Sequence, residues 1–290
     1  MSRPVAGKVW LVGAGPGDPE LLTLKAVRAI AQAEVLLVDD LVDRRVLEHA
    51  TPGVRVIEVG KRGGCPSTPQ AFIERLLVHE ARAGRRVVRL KGGDPMVFGR
   101  AGEEIDALRA AGIDFEVVPG VTAGLAAAAG LGAPLTDRRA AQGVAFVTGH
   151  AQPGGREPDW AALARSGLTL VVYMGMRRAA AIAQALCEGG APAGTPVAVV
   201  VRASLEGARE RIVTLGELAA AGRRPAAAHP GSAGGGDGTD AVDGADGAPS
   251  APGLLLIGDV LRARAALLDT GAAVREAPAA AGIIAACDAA

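Results

Sequence analysis

Residues Val87 to Glu104 read VVRLKGGDPMVFGRAGEE. An apolar, β-branched run ends in Lys91-Gly92-Gly93-Asp94-Pro95, and apolar residues at helical spacing follow from Gly102 to Ala111. Runs of the first kind form strands, and glycines at a strand's end let the backbone turn sharply and approach a ligand. The same design occurs earlier, where Val9 to Val12 leads into GAGPGDPELLT, Gly13 to Thr23, with the same Gly-Asp-Pro triplet. Repeated strand, glycine loop and helix imply βα units and a largely parallel sheet. Two such loops at strand carboxyl ends share the crevice in which open α/β sheets bind ligands.

The rhythm extends outward. Val35 to Val38, Val54 to Val59 and Phe115 to Val118 complete a first strand series, and Pro19 to Gln32 and Pro69 to Ala83 carry helical spacing between them. In the second helix Phe72, Leu76, Leu77 and Ala81 are expected to face inward. Ala145 to Thr148, Leu168 to Met174, Val197 to Val201 and Leu254 to Ile257 form a second series. Pro119-Gly120 punctuates the two, which implies an N-terminal α/β lobe over 7–118 and a C-terminal one over 119–268. One continuous doubly wound sheet is the alternative. Residues 225–252 are almost wholly Gly, Ala, Asp and Pro, a composition that predicts a disordered insertion, and the Ala-rich stretch 269–290 reads as a flexible tail.

Composition excludes several classes. Lys plus Arg equals Asp plus Glu at 31 each and aromatics are 2%, so neither a basic surface nor stacking platforms point to nucleic acid. Four of the acids fall in 225–252, which leaves the rest mildly positive and suited to an anionic small molecule. Cys65, Cys187 and Cys287 are dispersed and odd in number, which indicates a reduced, cytoplasmic setting with no disulfide framework or metal site. The most apolar long stretch, Val121 to Leu135, falls short of the ~18 residues of a membrane span.

Neither glycine loop identifies its ligand alone. The dinucleotide fingerprint needs a third glycine where Asp18 stands, although Asp39 and Asp40 lie at the distance expected of a ribose-binding acid. A phosphate-binding Walker loop is absent, because neither Gly7-Lys8 nor Gly60-Lys61 is followed by Ser or Thr. Asp94 suits a turn or helix cap as well as a ligand-anchoring carboxylate.

Together with VDDLV (Val38 to Val42), VGKRGG (Val59 to Gly64), VVPGVTA (Val117 to Ala123), PLT (Pro134 to Thr136), VTGH (Val147 to His150) and YMGM (Tyr173 to Met176), these loops resemble the uroporphyrinogen-III C-methyltransferase branch of the tetrapyrrole methylases. Order and spacing agree from residue 7 to about 220 and again from Leu254 to Leu261. The resemblance implies a two-lobed α/β homodimer unlike the common Rossmann methyltransferases, with S-adenosylmethionine in a cleft between the lobes. Its donor contacts fall on Pro16, Gly92, Gly93, Asp94, Val97, Thr122, Ala123, Met174 and Ala203, and its acid/base groups on Asp39 and Lys61.

The implied reaction is methylation of uroporphyrinogen III at carbons 2 and 7 to precorrin-2. Asp39 would take the proton that leaves the macrocycle, while Lys61, Arg62, Arg100, Arg138 and Arg139 would meet the substrate's carboxylates. A later corrin-ring methyltransferase is the alternative enzyme, and a non-catalytic binder of S-adenosylmethionine or a tetrapyrrole the alternative from another class. Two positions depart from the family pattern: Val38 stands where an aromatic is usual, and Asp137 where His is usual.

Overall fold

Among the described residues two five-stranded sheets form, one in each of two compact units, Met1–Ala126 and Ala127–Ala290, which divide inside helix α4 (Ala123–Leu131). The computed structural model describes residues 7–60, 68–150, 155–222 and 252–262.

In the first unit β1 (Val9–Gly13), β2 (Val35–Val38), β3 (Arg55–Glu58), β4 (Val87–Lys91) and β5 (Phe115–Val118) lie in the order β3-β2-β4-β1-β5, all parallel. β2 and β4 are buried along their whole length, which is why they read as continuous runs rather than as alternating ones. Helix α1 (Leu24–Gln32) covers one face, where Ala26 and Ile30 meet Val12, Leu36, Val38 and Leu90. On the other face α2 (Gln70–Arg82) and α3 (Ala101–Ala110) pack Leu77, Ile105 and Leu108 against Leu11, Leu37 and Val87.

The helix expected from Pro19 to Gln32 is split. Asp18 caps a single 3₁₀ turn, Pro19–Leu21, and Thr23 then caps α1 by accepting the Ala26 N–H at 3.1 Å. The inward face of α2 is also rotated from expectation: Ile73, Leu77, Glu80 and Ala81 are buried, and Phe72 is 46% exposed. Glu80 can occupy that face because Arg55 and Arg85 both pair with its carboxylate.

In the second unit β6 (Val144–Thr148), β7 (Thr169–Tyr173), β8 (Pro196–Val201), β9 (Arg209–Thr214) and β10 (Gly253–Ile257) lie in the order β6-β7-β10-β8-β9. β6 and β7 are parallel, while β10 runs antiparallel to both β7 and β8, and β9 antiparallel to β8. The largely parallel expectation thus describes the first sheet and not the second, which is mixed. Helices α5 (Trp160–Ala164), α6 (Ala179–Glu188) and α7 (Leu215–Ala221) bury Trp160, Ile182, Leu186, Leu215 and Leu218 against Val172, Val197 and Leu255.

Candidate active site

Among the described residues, the sequence motifs of the first unit fall on the loops that leave the carboxyl ends of its parallel strands. β1 and β4 are neighbours, yet α1 and α3, the helices that follow them, pack on opposite faces. Their loops must therefore part, and this is where open α/β sheets leave a ligand crevice.

The loops are tied at their base. Gly15 N–H donates to the Gly93 carbonyl at 3.2 Å, Gly93 N–H to the Gly15 carbonyl at 2.7 Å, and Ala14 N–H to the Lys91 carbonyl at 2.8 Å. Backbones touch here: a Cβ on Gly13 would stand 2.6 Å from the Gly120 nitrogen, and one on Gly120 would stand 2.3 Å from the Gly93 oxygen. Gly93 also holds a left-handed φ of +68°, which favours glycine. Asp94 serves the turn: Oδ1 accepts the Met96 N–H at 2.8 Å, and Oδ2 accepts the Gly120 N–H at 2.9 Å. Each oxygen keeps a second lone pair for a ligand.

Pro16, Gly92, Gly93, Asp94 and Val97 are half-buried on these loops, Thr122 is buried below them, and Ala123 opens α4. An edge made of glycine backbone and one carboxylate fits a net cationic donor such as S-adenosylmethionine, whose planar purine needs close backbone approach and whose amine and ribose need acceptors. Met174 and Ala203 lie in the second unit, each just past the carboxyl end of a strand, after β7 and β8 respectively. Met174 is 53% exposed with φ +55°, and Arg202 and Ser204, which flank Ala203, also hold left-handed φ values of +58° and +64°. Each costs about 1 kcal/mol in an L-residue, and such strain concentrates at ligand sites.

Asp39 directly follows β2, and its side chain is 34% exposed. Oδ1 accepts the Asp40 N–H at 3.3 Å, and Oδ2 accepts from Arg89 Nη2 at 3.0 Å. Arg89, Lys91 and Glu104 are buried beside it and carry no role in the sequence reading. Their signal was present: two cations at alternate positions of an otherwise apolar strand, VVRLK, must find buried partners. Burial, and next to it the neighbouring Arg89 charge, pulls the Lys91 ammonium below its ordinary range, against the opposing pull of Glu104.

Of the expected substrate cations, Arg100 holds φ +54° at the start of α3 and pairs with Glu103 at 2.8 Å. Arg139 pairs with Asp137 at 2.7 Å, and Arg138 is exposed on the same turn. The hydrogen bonds from Arg139 bring the Asp137 carboxyl down to about 2. Both partnered arginines must therefore share or surrender a carboxylate to receive an anion. Lys61 and Arg62 lie outside the described residues, as do 225–251 of the insertion and the whole of 269–290.

The family model for tetrapyrrole (corrin/porphyrin) methylases matches residues 8–219. A uroporphyrinogen-III C-methyltransferase of Pseudomonas aeruginosa is 58% identical over 214 residues, which cover 74% of this chain and 86% of that one. A siroheme synthase 2 of Aeromonas hydrophila is 51% identical over 219 residues, and the match covers 74% of this chain but only 46% of that longer protein. Among solved structures, a uroporphyrin-III C-methyl transferase from Thermus thermophilus complexed with S-adenyl homocysteine superposes with a TM-score of 0.69 at 44% identity, covering 89% of this chain and all of that one. With the family model matching residues 8–219 and a relative 58% identical over 214 residues, this chain belongs to the tetrapyrrole (corrin/porphyrin) methylases.

Proposed function

We propose that this chain transfers methyl groups from S-adenosylmethionine to carbons 2 and 7 of uroporphyrinogen III, giving precorrin-2 and S-adenosylhomocysteine. The observation that carries this reading is the glycine-lined carboxyl edge of the first sheet with Asp39 on its rim, in a chain 58% identical to an enzyme of that name. When bound, S-adenosylmethionine supplies an electrophilic methyl on a sulfonium. At each transfer the S–CH₃ bond breaks as a bond to a pyrrole carbon forms, and the macrocycle gives up a proton.

The chain's own residues then have separate tasks. Pro16, Gly92, Gly93, Asp94, Val97, Thr122, Ala123, Met174 and Ala203 hold the donor, a task for backbone and one carboxylate because in-line displacement depends mainly on alignment. Asp39 receives the proton, and Lys61 is the second acid/base group. Arg62, Arg100, Arg138 and Arg139 receive substrate carboxylates by charge-assisted hydrogen bonds. The enzyme acts as a homodimer in the cytoplasm. No helix among the described residues is long and apolar enough to cross a membrane.

Purified protein incubated with S-adenosylmethionine and uroporphyrinogen III should yield a product heavier by two methyl groups. Methyl gain on a later precorrin alone would favour a corrin-ring methyltransferase, and donor binding without any gain would favour a binding protein. Light scattering coupled to size exclusion checks the dimer.

A further inference from the structure

Behind the rim of the first sheet runs a buried chain of alternating charges that reaches solvent at Asp39. Arg89, in the middle of β4, is 2% exposed. Its Nε donates to Glu104 Oε1 at 3.1 Å, its Nη1 to the Leu90 carbonyl at 3.0 Å, and its Nη2 to Asp39 Oδ2 at 3.0 Å. Lys91 Nζ donates to the same Glu104 oxygen at 3.1 Å, with Gln70 Nε2 at 3.5 Å. Glu104 Oε2 has no hydrogen-bond partner among the described residues, although Glu104 is fully buried.

A strand in this place gains little stability from such a cluster. Desolvating each ion costs several kcal/mol, and apolar residues of similar volume commonly pack as well or better. The charges are also unequal in purpose. Lys91 and Glu104 balance one another, which leaves Arg89 matched by Asp39. Its guanidinium is held by Glu104 and by the Leu90 carbonyl, so the nitrogen it offers to Asp39 is a fixed point rather than a mobile side chain.

We infer that Arg89 is a positioning residue for methyl transfer, which clamps Oδ2 of the Asp39 carboxylate and so presents its Oδ1 edge to the reacting macrocycle. The inference rests on the reading of Asp39 as base. Its energetic content is orientational: a base held in one rotamer acts without the entropy loss of finding it.

The test uses the full chain and four variants: Arg89→Met, Arg89→Lys, Asp39→Asn and the Arg89→Met/Asp39→Asn double. S-adenosylhomocysteine binding reads the donor site, and single-turnover methylation of uroporphyrinogen III, followed over hours, reads the chemistry. Arg89→Lys keeps the charge but cannot fork to Glu104 and Asp39 together; it is expected to bind S-adenosylhomocysteine as the wild type does and to lose about tenfold in turnover. Arg89→Met is expected to lose more, and to lose nothing further once Asp39 is Asn. Wild-type turnover in folded Arg89→Lys overturns the inference, as do losses that multiply in the double variant, the mark of a purely structural arginine. If Arg89→Met fails to fold, the double Arg89→Lys/Asp39→Asn takes its place with the same two outcomes. Wild-type turnover in Asp39→Asn overturns the base itself and the inference with it. A crippled Asp39→Asn beside an active Arg89→Lys overturns the inference alone.

Discussion

At the scale of the residue, Asp94, a proposed donor contact, shows how a carboxylate can hold the framework of its own loops. Both oxygens accept backbone N–H groups, from Met96 and from Gly120, so the side chain joins the loop after β4 to the loop after β5. An amide has only one acceptor oxygen. Asp94→Asn must therefore set its NH₂ against one of those donors, and stability should fall by about 1–3 kcal/mol, the cost of an unsatisfied polar group. S-adenosylhomocysteine affinity should fall with it. Thermal melts and calorimetry check both, and an Asn variant with wild-type values in each would remove Asp94 from the loop's architecture. Arg89 makes the complementary point: its partners Asp39 and Glu104 are 50 and 15 residues away, so no local pattern announces them.

Among elements, the decisive contact is the one between loops. Gly13, Gly93 and Gly120 come from three separate strand ends and meet backbone to backbone. A methyl on Gly120 collides with the Gly93 carbonyl and the Gly13 Cα, neither of which can move without shifting a strand. Gly120→Ala is expected to destabilise by about 2 kcal/mol or more, as overpacked sites do, and to weaken S-adenosylhomocysteine binding by spreading the loops. Gly130, exposed in α4 with nothing within 4 Å of an added Cβ, is the control. There Ala should stabilise by up to ~1 kcal/mol through helix propensity and leave binding untouched. Equal effects at the two positions would show that glycine is not required by the close approach.

For the molecule as a whole, the second sheet is completed only by chain that follows the insertion. β10 lies between β7 and β8 and buries Leu254, Leu255, Leu256 and Ile257. The ends of the intervening segment are close in the fold: a Cβ on Gly222 would touch Ala180 at the start of α6, and one on Gly253 would touch Met176 in the 3₁₀ turn that leads into that helix. Pro252 is part of the framework, since its carbonyl accepts the Arg202 N–H at 2.9 Å. A six-residue Gly/Ser linker, which reaches ~20 Å when extended, should therefore replace residues 225–251 without loss of folding or methyl transfer. In the ideal-chain estimate the shorter loop stabilises by ~1.3 kcal/mol. A lower melting temperature or reduced methylation in the shortened protein would show that the segment contributes more than connection.

What the sequence determined by itself is what depends on neighbours along the chain. Apolar runs closed by Gly-Asp-Pro turns marked β1 and β4 with the loops of the candidate site, because strand propensity and turn chemistry act over a few residues. The order β3-β2-β4-β1-β5, the placing of β10 between β7 and β8, and the edge strand β9, whose RERIVT lacks a continuous apolar run, were decided by tertiary structure. So was the joining of Asp39 to Arg89 and Glu104. Pairing of distant strands and buried charges is set by which faces can be covered and which charges balanced at once, and that is a property of the packed core rather than of any segment.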